Sequence, residues 1–350
     1  MIFRKIAALF FGFPIMMCLC PGCTDSAHSA PAAKEPVVFM SGGTIDDHVA
    51  SILLFTMDGM DYRGSITTNS DCLYSYAMQN QWKVQSYVNT ASYPITLSEA
   101  RGWNPFPMEY RKDSIKVYNS AILTGYADNP QWPAAYISGE RFLREQLTRA
   151  IAENNPVTLL ITNPLTPLST VLKEDRALEK GIRRVIWMGG AINVAGNLDP
   201  NTLPAELANP KAEWNAYWDP YAVDWIFKNT SFPLIVFPLD VTDQAKLTPE
   251  FMTSLKTQGP LFRYSNLVLG LYSLVEGQPY FEMWNSLTSV YLARPDIFDA
   301  PVSMRLVIET EGYMQGSITQ NANGRQASVI LNIKDKNAFY DYVIAQLRRN

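Results

Sequence analysis

The feature that most restricts what this chain can fold into is an alternation. Short strand-like apolar runs are each followed by a segment with helical spacing. Pro36–Met40, Tyr62–Thr68, Val157–Ile161, Arg184–Met188 and Pro233–Pro238 read as strands, with Met304–Glu309 and Ala327–Ile333 as two more near the end. Helical periodicity covers Asp46–Met57, Leu73–Val88, Phe142–Ala152, Pro164–Leu172, Pro220–Phe227 and Lys336–Arg348, and several helices are expected from Pro249 to Leu292. Strands apolar on both faces must be covered on both faces. The expected class is therefore α/β, a mostly parallel central sheet flanked by helices. Ligands of such sheets bind beyond the carboxyl ends of the strands, so the residues that follow each strand are the ones to inspect.

Those residues are rich in oxygen donors. The first strand runs into Ser41-Gly42-Gly43-Thr44-Ile45-Asp46-Asp47, a tandem carboxylate pair where a helix begins. One aspartate would suffice for capping and dipole stabilisation, so the pair points to a ligand. The second strand ends in Thr67-Thr68-Asn69-Ser70-Asp71-Cys72, where Asp71 reads equally as a helix N-cap or a site residue. Later strands end in Thr162-Asn163-Pro164-Leu165-Thr166, in Gly189-Gly190-Ala191 with Gly196-Asn197 beyond, and in Leu239-Asp240-Val241-Thr242. Ala212-Glu213-Trp214-Asn215 precedes Asp219-Pro220, an N-cap followed by a proline at the first helical position. The stretch from Ala100 to Trp132 is too aromatic for disorder and reads as a long ordered loop beside a site.

Other chemistries are excluded by what is missing. Only His28 and His48 occur, so a multi-histidine zinc site is impossible, and a Ser-His-Asp arrangement could recruit only His48. Ser41-Gly42-Gly43 does not give the dinucleotide-binding glycine pattern. No basic run appears, so nucleic acid is not an expected partner.

The N-terminus reads as a targeting segment. Arg4 and Lys5 precede the apolar run Ile6–Leu19, which is shorter than the roughly 20 residues of a spanning helix. Residues 1–23 are expected to be a secretory signal. Leu19-Cys20-Pro21-Gly22-Cys23 resembles a bacterial lipoprotein processing site, which would put a lipid anchor on Cys23, although Cys20 stands where such sites usually carry leucine. Residues 24–35 are Ser, Ala and Pro rich and suit a flexible tether, leaving 36–350 as the domain. The expected destination is the periplasm or a membrane-anchored lipoprotein. A chain without residues 1–23 carries 27 basic against 33 acidic residues and a single cysteine, Cys72, which can form no internal disulfide.

Taken in order, the strand-end motifs resemble the inosine–uridine-preferring nucleoside hydrolase family. They are Ile45-Asp46-Asp47, Thr67-Thr68, Thr162 with Pro164-Leu165-Thr166, Met188-Gly189-Gly190-Ala191, Gly196-Asn197, Ala212-Glu213-Trp214-Asn215, Asp219-Pro220 and Trp284-Asn285-Ser286-Leu287. Each is short, but their joint order is specific and spans Pro36 to the C-terminus. Asp71-Cys72 and Arg101-Gly102-Trp103-Asn104-Pro105-Phe106-Pro107 resemble a less-studied branch. The resemblance implies hydrolysis of the N-glycosidic bond of ribonucleosides through an oxocarbenium-like state, with Ca²⁺ gripping the ribose hydroxyls and the attacking water. By position it implies Asp47, the Thr162 carbonyl and Asn285 as metal ligands, and Asp46 on a ribose hydroxyl. It places Glu213 and Asn215 at the 5′ end, with Asn197 and Trp284 as further substrate contacts. A homo-oligomer is also implied. For Glu213 and Asn215 an ordinary polar loop stays an open alternative.

The departures from the family pattern are specific. Met40 and Gly42 stand where two further aspartates belong, one of them the base. Asn285 replaces the last aspartate ligand, and Trp284 the neighbouring histidine. Ca²⁺ affinity follows ligand charge, so the site should be weakened. Asp71 or His48 could supply the lost base, giving Asp46, Asp47 and Asp71 as catalytic candidates, although His48 is expected to face outward or to cap its helix. The second reading is a nucleoside- or sugar-binding protein of the cell envelope that has lost turnover, and a third is a structural lipoprotein.

Overall fold

The computed structural model describes residues 33–349, apart from 91–92, 133–135, 202 and 279–280. The expected signal, Cys23 and the tether up to residue 32 lie outside the described residues. Lys34–Asn350 form one compact unit.

Among the described residues nine strands make one sheet: β1 (Glu35–Ser41), β2 (Met60–Thr67), β3 (Ile95–Leu97), β4 (Val157–Ile161), β5 (Ile182–Met188), β6 (Leu234–Phe237), β7 (Val302–Ile308), β8 (Ile318–Gln320) and β9 (Arg325–Val329). The α-helices of the described residues are α1 (Ile45–Thr56), α2 (Tyr74–Tyr87), α3 (Met108–Arg111), α4 (Asp113–Tyr118), α5 (Gly139–Ala152), α6 (Thr166–Glu174), α7 (Trp214–Trp218), α8 (Pro220–Asn229), α9 (Leu239–Thr242), α10 (Pro249–Gln258), α11 (Arg263–Tyr272), α12 (Trp284–Val290) and α13 (Lys336–Leu347). The seven expected strands are all present. The additions β3 and β8, three residues each, are edge pieces. Glu35 belongs to β1 and not to the tether, because its carboxylate takes the Arg184 guanidinium at 2.8 Å. Among the described residues no helix is long and apolar enough to cross a membrane.

The sheet order is β3-β2-β1-β4-β5-β6-β9-β7-β8. Every pairing from β3 to β9 is parallel, and only β7 runs antiparallel, to β8 and β9. The two-residue period of a strand divides each apolar run between two cores. Val37 and Phe39 join Leu160, Ile186 and Phe237 in one core, with Ile45, Val49, Ile52 and Leu53 of α1 and residues of α10 to α13. Val38 and Met40 join Leu159, Ile161, Val185 and Trp187 in the other, with Phe142 and Leu147 of α5, Leu168 of α6 and Ile226 of α8.

One topological fact places the site. After β1 the chain builds outward through β2 and β3, and β4 then returns to the other side of β1. The order reverses between β1 and β4, the point at which sheets of this kind bind ligands beyond the carboxyl ends of their strands. Gly42–Asp47 follow β1 and Thr162 follows β4.

Candidate active site

Asp47 closes the first turn of α1. Its Oδ2 accepts from the Thr44 amide at 2.9 Å and the Thr44 hydroxyl at 3.0 Å, while Thr44 Oγ1 accepts from the Asp47 amide, a reciprocal capping box. Its other oxygen is left for the crevice. Oδ1 accepts from Thr162 Oγ1 at 2.6 Å and Asn285 Nδ2 at 2.9 Å. Capping and site placement are thus divided between the two oxygens of one side chain. The Thr162 carbonyl accepts from Asn215 Nδ2 at 3.3 Å, and the Asn215 amide donates to Glu213 Oε1 at 2.9 Å. Asp47, Thr162, Asn215, Glu213 and Asn285 are therefore joined by hydrogen bonds, although they come from four distant stretches of sequence, and all five are buried.

Asp46 does not take the expected place. Its Oδ1 accepts from Tyr272 Oη and Ser286 Oγ, both at 2.5 Å, and its Oδ2 from the amides of Asn285 at 2.6 Å and Ser286 at 2.9 Å. Four protein donors use the accepting capacity of the carboxylate, so no lone pair is left for a ribose hydroxyl. Its role is to hold the start of α12, and hence Asn285, against α1.

Glu213 is the N-cap of α7. Its oxygens accept from the amides of Asn215, Ala216 and Gly190, the last at 2.8 Å across to the loop after β5. Burial nevertheless raises its pKa to about 7. Asn215 also donates to the Met188 carbonyl at 3.1 Å. Asn197 Oδ1 accepts from the Trp214 amide at 3.1 Å, which fixes the approach to α7. Trp284, half-buried beside Met188, Ala191 and Leu239, donates its indole N–H to Asp243 at 2.9 Å.

Asp71 is half-buried and caps nothing: the residue before α2 is Leu73, with no side-chain cap. Ser70 Oγ donates to its Oδ1 at 3.0 Å. Burial raises the pKa of Asp47 and Asp71. The Asp71 charge adds to the rise of Asp47 and acts on Glu213, while Ser70 and then Arg111 oppose the rise of Asp71. Burial lowers His48 to about 4; its Nδ1 meets Gln81 Oε1 at 2.9 Å, and its Nε2 is buried without a partner. The ring neither faces outward nor caps α1, and at neutral pH it carries no charge.

Four contributors were given no role from the sequence. Asn163 ties the strand ends together by donating to the Ser41 carbonyl and Thr68 Oγ1, and its position directly after β4 was the available signal. Tyr272 and Ser286 anchor Asp46, Tyr272 from a helix that offered no motif and Ser286 from within the Trp284–Leu287 motif, where nothing assigned it a role. Arg111 donates to Asn69 and the Cys72 carbonyl, pinning the long loop to the segment that carries Asp71. The same loop reaches α7, where Asn104 Nδ2 donates to the Tyr217 carbonyl at 2.7 Å and Phe106 packs on Trp214 with ring centroids 4.5 Å apart.

This geometry meets an independent comparison. The family model described as inosine-uridine preferring nucleoside hydrolase matches residues 39–341. The chain belongs to that family. Among its curated relatives in the nucleoside hydrolase family, the non-specific ribonucleoside hydrolase RihC of Escherichia coli K12 is 27% identical over 82% of this chain and 88% of its own. The pyrimidine-specific ribonucleoside hydrolase RihA of Shewanella oneidensis is 25% identical over 76% and 80%. "Probable uridine nucleosidase 2" of Oryza sativa subsp. japonica is 25% identical over 66% of this chain and 64% of its own, so the match spans just under two thirds of that protein. The solved inosine-uridine preferring nucleoside hydrolase of Bacillus anthracis superimposes with a TM-score of 0.78 at 25% identity, covering 90% of this chain and 100% of that one. The nucleoside hydrolase fold is thereby shown, and the family supports ribonucleoside N-glycosidic hydrolysis over a binding protein without turnover.

Proposed function

We propose that this chain hydrolyses the N-glycosidic bond of ribonucleosides at the crevice between β1 and β4. The observation that carries the reading is the hydrogen-bonded convergence of Asp47, Thr162, Asn215, Glu213 and Asn285 at one group of strand ends, in a chain of this family. Asp46 positions α12. Glu213 and Asn215 shape the pocket wall toward the sugar's 5′ end, holding the loops after β4 and β5 in register. Asn197 and Trp284 border the pocket, with the indole fixed by Asp243 as a flat wall for the base.

The donor chemistry supports a hard cation. Asp47, the Thr162 carbonyl and the Asn285 side chain offer only oxygen once the Asn285 amide makes a half-turn, and the surrounding acids Asp47, Asp71 and Glu213 are all raised by burial. Asp47, Thr162 and Asn285 would hold Ca²⁺. When bound, it would orient the ribose diol and make the attacking water more acidic. One carboxylate and one amide from the side chains is a low ligand charge, so the affinity is expected to be weak. Among the described residues no cluster of three or more His, Cys, Asp or Glu offers a stronger site.

The deciding assay incubates the protein with a panel of purine and pyrimidine nucleosides, with and without Ca²⁺, and follows free base and reducing sugar. Release that Asp47→Ala abolishes supports the proposal. Saturable binding without release overturns it in favour of a binding protein. We further propose that the chain is exported, either free in the periplasm or held to a membrane through Cys23, and that it forms a homo-oligomer. Detergent-phase partitioning of wild type and Cys23→Ser checks the first, and sedimentation of the soluble domain the second.

A further inference from the structure

Water adds to a sugar carbon only if some group takes its proton, and that group needs an unused lone pair. Besides Asp240, whose oxygens accept from Ile192 and Asn193, the strand ends hold four acids, and their hydrogen bonds separate them. Asp46 accepts from four protein donors. Glu213 accepts from three backbone amides. Asp47 gives one oxygen to the Thr44 cap and the other to Thr162 and Asn285, or to a cation that replaces the Asn285 amide. Asp71 has one side-chain donor, Ser70, and is half-buried where the others are buried.

A second observation concerns the space Asp71 occupies. A Cβ built on Gly42 would lie 1.9 Å from Asp71 Oδ1 and 2.6 Å from its Cγ. Gly42 does not have the positive φ that demands glycine; its neighbour Gly43 does, at 82°. The backbone would accept a side chain at 42, and the Asp71 carboxylate is what excludes it. Ordinary helix capping does not account for this placement, since α2 takes no side-chain cap.

We infer that Asp71, admitted to the crevice by Gly42, is the general base that deprotonates the attacking water. The inference rests on the proposed hydrolysis and moves the base from the loop after β1 to the loop after β2. A water O–H bond breaks and its proton passes to Asp71. The water oxygen bonds to the anomeric carbon, and the C–N bond breaks with its electron pair leaving on the base. The base ends protonated from solvent as Asp71 returns its proton, leaving free base and ribose.

Asp71→Asn keeps the shape and removes the basicity, while Gly42→Ala pushes the carboxylate aside without altering it. With nucleoside as the probe, Asp71→Asn should lose about 10²–10⁴-fold in kcat with KM within about threefold of wild type. Calorimetry should show that the variant still binds the nucleoside. Formate or azide should restore part of the rate to Asp71→Ala, which a structural role would not allow. Gly42→Ala should lose rate while melting near the wild-type temperature. If wild type releases base and Asp71→Asn retains a rate within about tenfold, the inference falls and the hydrolase reading stands. If Asp71→Asn loses binding together with rate, Asp71 holds substrate and is not the base. If wild type releases no base from any nucleoside, both fall.

Discussion

Two neighbouring aspartates, Asp46 and Asp47, show how much a side chain's role depends on which donors reach it first. Asp46 is spent on α12, whereas Asp47 keeps one oxygen for the site. Asn285→Asp should therefore strengthen the proposed cation site, replacing an amide with a charge beside Asp47, and calorimetry should show Ca²⁺ binding at least about tenfold tighter. Trp284 has an indole N–H already given to Asp243, and an indole is no acid. Departure of the base thus lacks help from position 284. Turnover of p-nitrophenyl riboside, whose leaving group needs no protonation, should exceed that of inosine, and Trp284→His should narrow the gap. His48 gives a pH prediction. Its folded pKa of about 4 lies below the ordinary 6.5, so between those values the unfolded chain binds the extra proton. Stability from this residue is complete above 6.5 and falls as pH drops toward 4, by at most about 1.4 kcal/mol per pH unit. Urea titrations at about pH 7 and about pH 4.5 should show a smaller loss in His48→Gln than in wild type. The sequence pointed to Asp47 by its place after a strand, and to Asn285 and Glu213 through the motifs that carry the family resemblance. It could not reveal the saturation of Asp46 or the burial of His48, because Tyr272, Ser286 and Gln81 lie far away in sequence and nothing in their local pattern points to these partners.

At the scale of elements, α12 has no cap from its own N-cap residue, Met283, and relies on Asp46 to accept its second and third helical amides, those of Asn285 and Ser286. Tyr272→Phe removes one donor to that buried carboxylate and should cost about 1–3 kcal/mol in denaturant unfolding, with a matching fall in activity if α12 shifts. The long central strands and their covering helices were legible because double-sided burial writes itself as continuous apolar sequence. β3 and β8 were not, since three residues leave no period to read. Nor was α7, five residues long and started by the Glu213 side chain. Pro164 suggested an early start for α6, but the helix begins at Thr166 with Pro167 in its first turn. The preceding residues are committed to the site, where Thr162 and Asn163 bond across to Asp47 and Ser41.

For the whole molecule, the alternation of strands and helices was enough to give a parallel sheet with two covered faces. It did not give the strand order, which depends on pairing between distant segments, nor the antiparallel edge of β7 and β8. Among the described residues, both hydrophobic cores draw on residues from Val37 onward, within the compact unit that begins at Lys34. A chain starting at residue 34 should therefore melt within a few degrees of the chain starting at residue 24, as calorimetry can check, and a large drop would mean that the preceding segment packs on the domain.

The close fit of Gly42 to the Asp71 carboxylate also bears on the history of this chain. A lineage holding this arrangement cannot restore an acid at position 42 in one step, because the incoming side chain meets the carboxylate already there. Losing Asp71 first would leave the crevice with no acid that has room for water. Either order of change passes through a crippled ancestor, so the exchange of one loop's acid for another's works as a ratchet, and descendants should vary the two positions together.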